Sequence, residues 1–347
     1  MRAQAHTITL KDIAKDCGVS LSVVSRALNP HPDQMVCPRT KMRVEESTRR
    51  LKYRKNNAAS LLARGKDVTL GVFLPYYREY LITELVVGIS RAAAAHDFQC
   101  SFFFGMNESS YLEFIRHIRD IGSSGILTYP ITAACTPEVK KAINNFCEQG
   151  GCTVMLHNTT VPGIEHLQID NHYGGMLAAK RLKELKCQRY IFLHHVDSDA
   201  PQSISNYALT RLDGFKGYLR KHGLETEVIG VISHGSSTYG QKDFADVIAS
   251  IRQGETTGIF AESDYVAFAL MQDLNVHGLN GRIGRDIFVI GYDDNPITQL
   301  PKPQLSSIHQ DFCELGQQGM ELLISKITGT EFKPQIPLPT LVARGSA

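Results

Sequence analysis

The stretch CGVSLSVVSRALNP, residues 17–30, sets two hydroxyls, a leucine and an arginine between the positions of a helical apolar stripe. With Val19, Val24 and Leu28 turned inward, Leu21, Ser22, Ser25 and Arg26 turn toward solvent. Such a face suits the major groove of duplex DNA. Arginine and hydroxyls reach base edges and phosphates, and leucine presses on a thymine methyl. The competing reading is an ordinary hairpin of an all-α domain, because this spacing recurs widely.

Other chemistry is thinly represented. No GxGxxG follows the first strand-like run, and neither GxxxxGK[ST] nor GxSxG occurs. His194 and His195 are adjacent rather than one helical turn apart, which suits a polar lining or a plain surface better than a metal. The eight cysteines (17, 37, 100, 135, 147, 152, 187 and 313) form no CxxC pair, so no zinc or thioredoxin-like site is indicated. The expectation is a protein that is not an enzyme and needs no metal or cofactor.

Charge divides the chain. Residues 1–67 hold 14 Lys/Arg against 6 Asp/Glu, a surplus of eight, whereas the other 280 hold 23 against 29, a deficit of six. A basic head on a mildly acidic body points to a polyanionic partner for the head; a solvated basic surface is the plainer alternative. No apolar run approaches the roughly 18 residues of a membrane helix. The first residues, MRAQAHTITL, lack the apolar core of a secretory leader. The expected setting is the cytoplasm, with reduced thiols.

Local signals give the elements that would carry the DNA-facing residues. Thr9 and Asp12 make a capping box, and Ile8 with Ile13 a hydrophobic staple. Gly18 ends the first helix in a left-handed turn. Ser20 caps the second helix, with Val19 and Val24 as its staple. A third helix is expected over about 39–52, with Met42, Val44 and Leu51 in the core. YRKNNAASLLARGKD then reads as a marginal linker helix that orders when a partner supplies packing. From Thr69 on, strand-like runs (TLGVFLP, FQCSFFFG, GILTYP, CTVMLHN, RYIFLHH, EVIGVIS, TGIFAES and DIFVIGYD) alternate with helical patterns at 81–96, 137–149, 172–186, 205–222 and 264–277. That alternation predicts parallel sheets covered by helices, with ligands at the carboxyl ends of strands and between lobes.

TLKDIAKDCGVSLSVVSRALN followed by YRKNNAASLLARG resembles the headpiece of the LacI/GalR family of bacterial transcription regulators. The body resembles that family's effector domain, related to periplasmic sugar-binding proteins, through LGVFLP, GILTYP, ALTRLDGFKGYL, IFAESDYVAFALMQDL, DIFVIGYDD and PQLSSIHQDFCELGQQGMELL. The resemblance implies a small all-α helix-turn-helix headpiece followed by an α/β effector domain of two parallel-sheet lobes. The expected divisions are a headpiece at 1–55, a hinge at 56–67 and a body at 68–347. Its lobes would comprise 68–168 plus 308–336, and 169–307 plus 337–347.

By the same resemblance Leu21, Ser22 and Arg26 read bases, and Ser20 and Ser25 approach phosphates. Asn56, Ala59 and Leu62 belong to the hinge: Ala59 lets two hinge helices approach, and Leu62 wedges into the minor groove or else packs on the body. Arg211 and Asp293 match effector-binding positions, where a forked donor and a carboxylate suit a polar ring. They could equally pair with neighbours and stiffen strand ends. Thr128, Ser205, Tyr265 and Phe312 fall on pocket positions, Phe312 as a stacking wall. Departures from the family pattern are Val23 for a threonine, Lys55 for the hinge proline, a longer 30–38 turn with Cys37 at a capping position, PYYREYLI at 75–82, His157 for an aspartate and Ser263 for an asparagine. The reading is a homodimeric, repressor-type regulator on a near-palindromic operator in double-stranded DNA, controlled by a sugar-like small effector. The alternative is a solute-binding or sugar-active protein on the same fold.

Overall fold

The computed structural model describes residues 9–28, 36–51, 68–76, 80–129, 136–156, 161–196, 205–234, 241–242 and 244–347. The chain divides into two compact units, Met1–Arg64 and Gly65–Ala347.

The first unit holds α1 (Leu10–Cys17), α2 (Leu21–Leu28) and α3 (Pro38–Arg50). The Thr9 amide and hydroxyl donate to Asp12 Oδ2 at 2.8 and 2.7 Å, so the start of α1 is locked by its own side chains. Gly18 adopts φ 59° and ψ 38°, and the Val19 amide closes the turn onto the Ala14 carbonyl at 3.0 Å. The core is Ile13, Ala14, Cys17, Val24, Ala27 and Val44, with Leu10, Val19, Leu28, Val36 and Leu51 packed around it. Met42 is not part of this core. It is 69% exposed, because it lies two residues from Val44 and hence on the opposite side of α3. Cys37 stands at the α3 N-cap without a side-chain capping bond, and Pro38 takes the first helical position. Asp16 joins the helices by accepting from Ser47 and Arg50, which hold its carboxyl below the usual range. Ile8, the outer half of the expected staple, lies outside the described residues.

The second unit contains two sheets. The first has order β2-β1-β3-β4-β5, built from β1 (Thr69–Leu74), β2 (Gln99–Phe104), β3 (Gly125–Thr128), β4 (Cys152–Met155) and β5 (Glu165–His166). Every pairing in it is parallel. Its helices are α4 (Tyr80–Ala95), α5 (Glu108–Asp120) and α6 (Pro137–Glu148). The second sheet has order β12-β11-β10-β9-β6-β7-β8, with β6 (Arg189–Val196), β7 (Glu227–His234), β8 (Gln241–Lys242), β9 (Thr257–Ala261), β10 (Ile287–Asp293), β11 (Ser306–His309) and β12 (Thr340–Val342). Its helices are α7 (Asn171–Glu184), α8 (Asn206–Lys221), α9 (Ala245–Ser250) and α10 (Asp264–Val276). β9 and β10 are buried at every residue, as strands covered on both faces must be.

The chain passes between the lobes after β5, after β11 and before β12. Asp170 caps α7 by accepting from the Tyr173 amide at 2.8 Å, and Asp311 caps the helix after β11 by accepting from the Glu314 amide at 2.8 Å. That helix, α11 (Phe312–Thr328), returns to the first lobe and packs on α4, β3 and β4. The second lobe keeps the chain as far as His309, past the expected crossing before 308, because all of β11 pairs with β10.

Helix pairs touch through glycines. A Cβ at Gly88 would stand 1.8 Å from the Cys313 carbonyl oxygen, which ties α4 to α11. A Cβ at Gly175 would stand 2.0 Å from the Arg211 carbonyl oxygen, and one at Gly214 1.9 Å from that of His172. The α7–α8 pair therefore presents Arg211 from a backbone-to-backbone contact. Replacing Gly214 by alanine drives a methyl into backbone and is expected to cost at least ~1–3 kcal/mol. Gly217, on the same helix with nothing within 4 Å of its would-be Cβ, is the control; alanine there is expected to stabilise by up to ~1 kcal/mol. Urea midpoints of the two variants check both signs.

Candidate functional site

In the first unit, the face of α2 opposite the core carries Leu21, Ser22 and Arg26, all exposed. Leu21 is 45% exposed, as expected from its place off the Val19, Val24 and Leu28 stripe. Ser20 Oγ accepts from the Val23 amide at 3.4 Å and meets Ser22 Oγ at 2.9 Å. Arg26 Nε donates to the Ser22 carbonyl at 3.1 Å, which lays the guanidinium along the helix. Ser25 is half-buried on the flank rather than turned to solvent, one step of about 100° from buried Val24. Lys11, Lys15, Arg39, Lys41, Arg43, Arg49 and Arg50 are also exposed. Asn56, Ala59 and Leu62, the expected hinge residues, lie outside the described residues, as does Lys55.

In the second unit a cavity of about 280 Å³ opens where the carboxyl ends of strands from both lobes meet. The second lobe contributes His195 from β6, Ser205, Tyr207, Ala208 and Arg211 from the start of α8, Glu262, Ser263 and Tyr265 from the start of α10, and Asp293 from β10. The first lobe contributes Leu81, Ile82, Tyr129 and Phe312, and the crossing segment contributes Gln310. Phe312 and Tyr129 form a tilted aromatic wall with ring centroids 6.0 Å apart. Ser205 and Ser263 serve as N-caps, accepting from the Ala208 and Val266 amides at 3.2 and 3.4 Å.

Arg211 is the most constrained group in the cavity. Its Nε donates to Asn171 Oδ1 at 2.8 Å, its Nη1 donates to the Glu262 carbonyl, and its Nη2 lies 3.7 Å from Asp293 Oδ1. The guanidinium carbon sits 3.6 Å above the centre of the Tyr292 ring. Tyr292 is itself buried, which pushes its hydroxyl up to about 12. Arg211 therefore joins α7, α8, the loop before α10 and β10. It does pair with its neighbours, and it does so while lining the cavity.

Asp293 is held in an unusual backbone. It takes φ 107° and the following Asp294 takes φ 53°, conformations that cost roughly 1–3 kcal/mol each unless the surroundings impose them. Those surroundings are specific. Gln310 Nε2 donates to Asp293 Oδ1 at 2.5 Å. The Asp294 amide donates to Ser307 Oγ at 3.0 Å, and Arg344 Nη2 to Asp294 Oδ1 at 2.7 Å. Burial alone would raise Asp294, but hydrogen bonds from His309 and Arg344 outweigh it and hold the carboxyl low. Behind the turn sits Asp264, fully buried, accepting from the Asn295 amide at 2.6 Å and from the Ser307 hydroxyl at 2.5 Å. A Cβ at Gly291 would stand 2.2 Å from Asp264 Oδ1, so only glycine leaves room for this carboxyl. Burial first, then the charge of Asp293, push Asp264 well above the ordinary carboxylate range.

Of the effector residues expected from sequence, the fold brings Ser205, Arg211, Tyr265, Asp293 and Phe312 to one cavity. Thr128 is not among its lining residues. It is fully buried in the first lobe, and its hydroxyl accepts from Tyr111 at 2.7 Å. Glu262, Gln310, Tyr207 and Tyr129 were not expected there, and His195 was read only as a lining or surface residue. His157 lies outside the described residues. Among the described residues, no group of three or more His, Cys, Asp or Glu is gathered to hold a metal ion, and no helix is long and apolar enough to cross a membrane.

Comparison with known proteins bears on both regions. Residues 9–56 match the profile of bacterial regulatory proteins of the lacI family, and residues 179–347 that of the periplasmic binding protein-like domain. Catabolite control protein A of Staphylococcus xylosus is 26% identical over 337 residues, 96% of this chain and 97% of that protein. The fold is similar to the lac repressor dimer bound to operator and an anti-inducer, with a TM-score of 0.64, 24% identity and 98% of each chain covered. It is also similar to the transcriptional regulator CelR in its cellobiose complex, with a TM-score of 0.62, 22% identity, and 98% of this chain and 100% of that one covered.

The buried carboxyl of Asp264 has a consequence for stability. A carboxyl raised by burial keeps its proton in the folded chain at pH values where the unfolded chain has lost it. Its contribution to stability therefore falls as pH rises from the ordinary value of 3.8 through the raised one. Asp264→Asn keeps an oxygen for the Asn295 amide and carries no charge at any pH. Urea midpoints between about pH 5 and about pH 8 should fall less steeply in this variant than in the parent; equal slopes would show that Asp264 does not hold its proton.

Proposed function

This chain belongs to the LacI family of bacterial regulatory proteins, and we propose that it acts as a dimeric repressor on a near-palindromic operator, controlled by a sugar-like effector in the interlobe cavity. It is a DNA-binding transcription regulator with a periplasmic-binding-protein-like effector domain. The observation that carries the finer reading is the outward face of α2. On a helix fixed by a locked cap and a glycine turn, it exposes Leu21, Ser22 and Arg26 together. Symmetric heads on two chains read two inverted half-sites, and DNA as the partner sets the protein in the cytoplasm. The named relatives support regulation rather than catalysis, since each is a control protein, a repressor or a transcriptional regulator.

Control follows from the crossings. A ligand between the lobes contacts Asp293 and Arg211 on one side and Phe312 and Tyr129 on the other, so it favours one arrangement of the lobes. The hinge segment 56–67 would transmit that preference to the operator. The coupling equals the ligand's differential affinity for the two arrangements, and it is reciprocal: ligand changes operator affinity by the factor by which operator changes ligand affinity.

Arg26→Ala tests the DNA reading. On an operator selected for the parent protein, the variant should lose about 1–3 kcal/mol and tolerate substitution at one base pair per half-site. Uniform weakening on every sequence, with the base preference unchanged, would reduce Arg26 to a phosphate contact.

A further inference from the structure

Asn171 stands where the chain first passes from one lobe to the other. β5 ends at His166, residues 167–170 make the crossing, and Asn171 opens α7 in the second lobe. Its carboxamide is held at both ends. Oδ1 accepts from Arg211 Nε at 2.8 Å, and Nδ2 donates to the Ile169 carbonyl at 3.3 Å. The Asn171 amide donates to the same carbonyl at 2.9 Å. The partners settle which end is oxygen, since a guanidinium N–H requires an acceptor and a carbonyl requires a donor. Asparagine meets both, whereas an ionised aspartate of the same length would meet only the arginine. The carboxamide therefore joins the buried backbone of the crossing to the guanidinium.

The cavity does not reach this crossing directly, because none of residues 165–172 lines it. A separate void of about 30 Å³, bordered by Ile169, Asn171, Arg211 and Phe312, is sized for waters and not for a sugar ring. Nor can α7 and α8 slide past each other to relay a signal, since their main chains touch at Gly175 and Gly214. The element of this helix pair that can answer a ligand is the Arg211 side chain, which lines the cavity and bonds Asn171 on the side of the crossing. The crossing after β11 is different: Gln310 lines the cavity itself and donates to Asp293.

We propose that Asn171 is a positioning residue that carries ligand contact at Arg211 to the first crossing, and so sets how strongly the effector changes operator binding. The inference rests on the cavity being the effector site. A ligand that shifts the guanidinium shifts the acceptor bonded to it, and the Nδ2 bond passes that shift to the Ile169 carbonyl, where the lobes join. The two arrangements of the lobes then differ in whether this relay is intact, which gives the ligand its differential affinity for them.

The test uses the full-length protein, an operator selected from random duplex DNA, and neutral pentoses, hexoses and disaccharides as probes. Calorimetry gives sugar affinity; operator affinity with and without saturating sugar gives the coupling factor. Asn171→Asp keeps an acceptor for Arg211 and puts a favourable charge in the first turn of α7, but it sets a carboxylate oxygen against the Ile169 carbonyl. It should still bind the sugar, while the coupling factor, commonly about 5–150, falls to near one. Asn171→Ala loses both bonds and should weaken sugar binding roughly tenfold as well as lose the coupling. Two results overturn the proposal and leave the effector reading intact: an Asn171→Asp protein with the parent's coupling factor, or sugar affinity and coupling that fall in step in both variants, the behaviour of a residue that only stabilises α7. If no sugar changes the operator affinity of the parent protein, the sugar-like effector reading is overturned and the proposal falls with it.

Discussion

The body's functional geometry depends on one ionic and stacking contact: the Arg211 guanidinium, lying on the Tyr292 ring and facing Asp293. A buried guanidinium is costly unless its charge and its donors are met. Here the charge is met by Asp293, the donors by Asn171 and the Glu262 carbonyl, and the flat face by an aromatic ring. The glycine contacts between α7 and α8 bring Arg211 close enough for this, and the carboxyl of Asp264 keeps the turn after β10 in the backbone that aims Asp293 at it. The cavity is thus preorganised on its second-lobe side. Its first-lobe wall, mainly apolar and aromatic, is joined to that side by Gln310, which sits on a crossing and donates to Asp293. A ligand that bridges the walls acts where the chain passes from lobe to lobe.

Sequence and structure agree best where the determining forces are local. The Thr9–Asp12 lock and the Gly18 turn are settled within a few residues, so the first two helices and their outward face are legible without tertiary information. Met42 shows the limit of that legibility. Apolar character alone suggested the core, yet a helix buries one side, and Val44, Ser47 and Leu51 already occupy it. The long apolar strands are legible for a similar reason, since burial on both faces leaves a continuous apolar run. β11, which reads SSIH, is not, because its buried serines are met by hydrogen bonds from segments far apart in the chain: Ser306 Oγ donates to the Ala347 carbonyl, and Ser307 Oγ donates to Asp264.

The cavity was legible only in part. Arg211, Asp293, Ser205, Tyr265 and Phe312 were reached through resemblance, and the fold places them together. Thr128 was reached through the same resemblance, but it lies buried at the end of β3, where Tyr111 on α5 donates to its hydroxyl. Glu262, Gln310 and Asp264 carry no motif of their own. Their roles come from the crossing of strand ends and helix starts far apart in the chain, which no spacing within one segment encodes.

The central claim, that a locked helix pair presents a base-reading face, is tested most directly by selecting binding sites for the purified full-length protein from random duplex DNA. The account predicts recovery of a near-palindrome whose half-sites change when Leu21, Ser22 or Arg26 is replaced. Recovery of no common sequence, with only weak association that disappears at moderate salt, would contradict it, since that is the behaviour of a basic surface that binds phosphates alone.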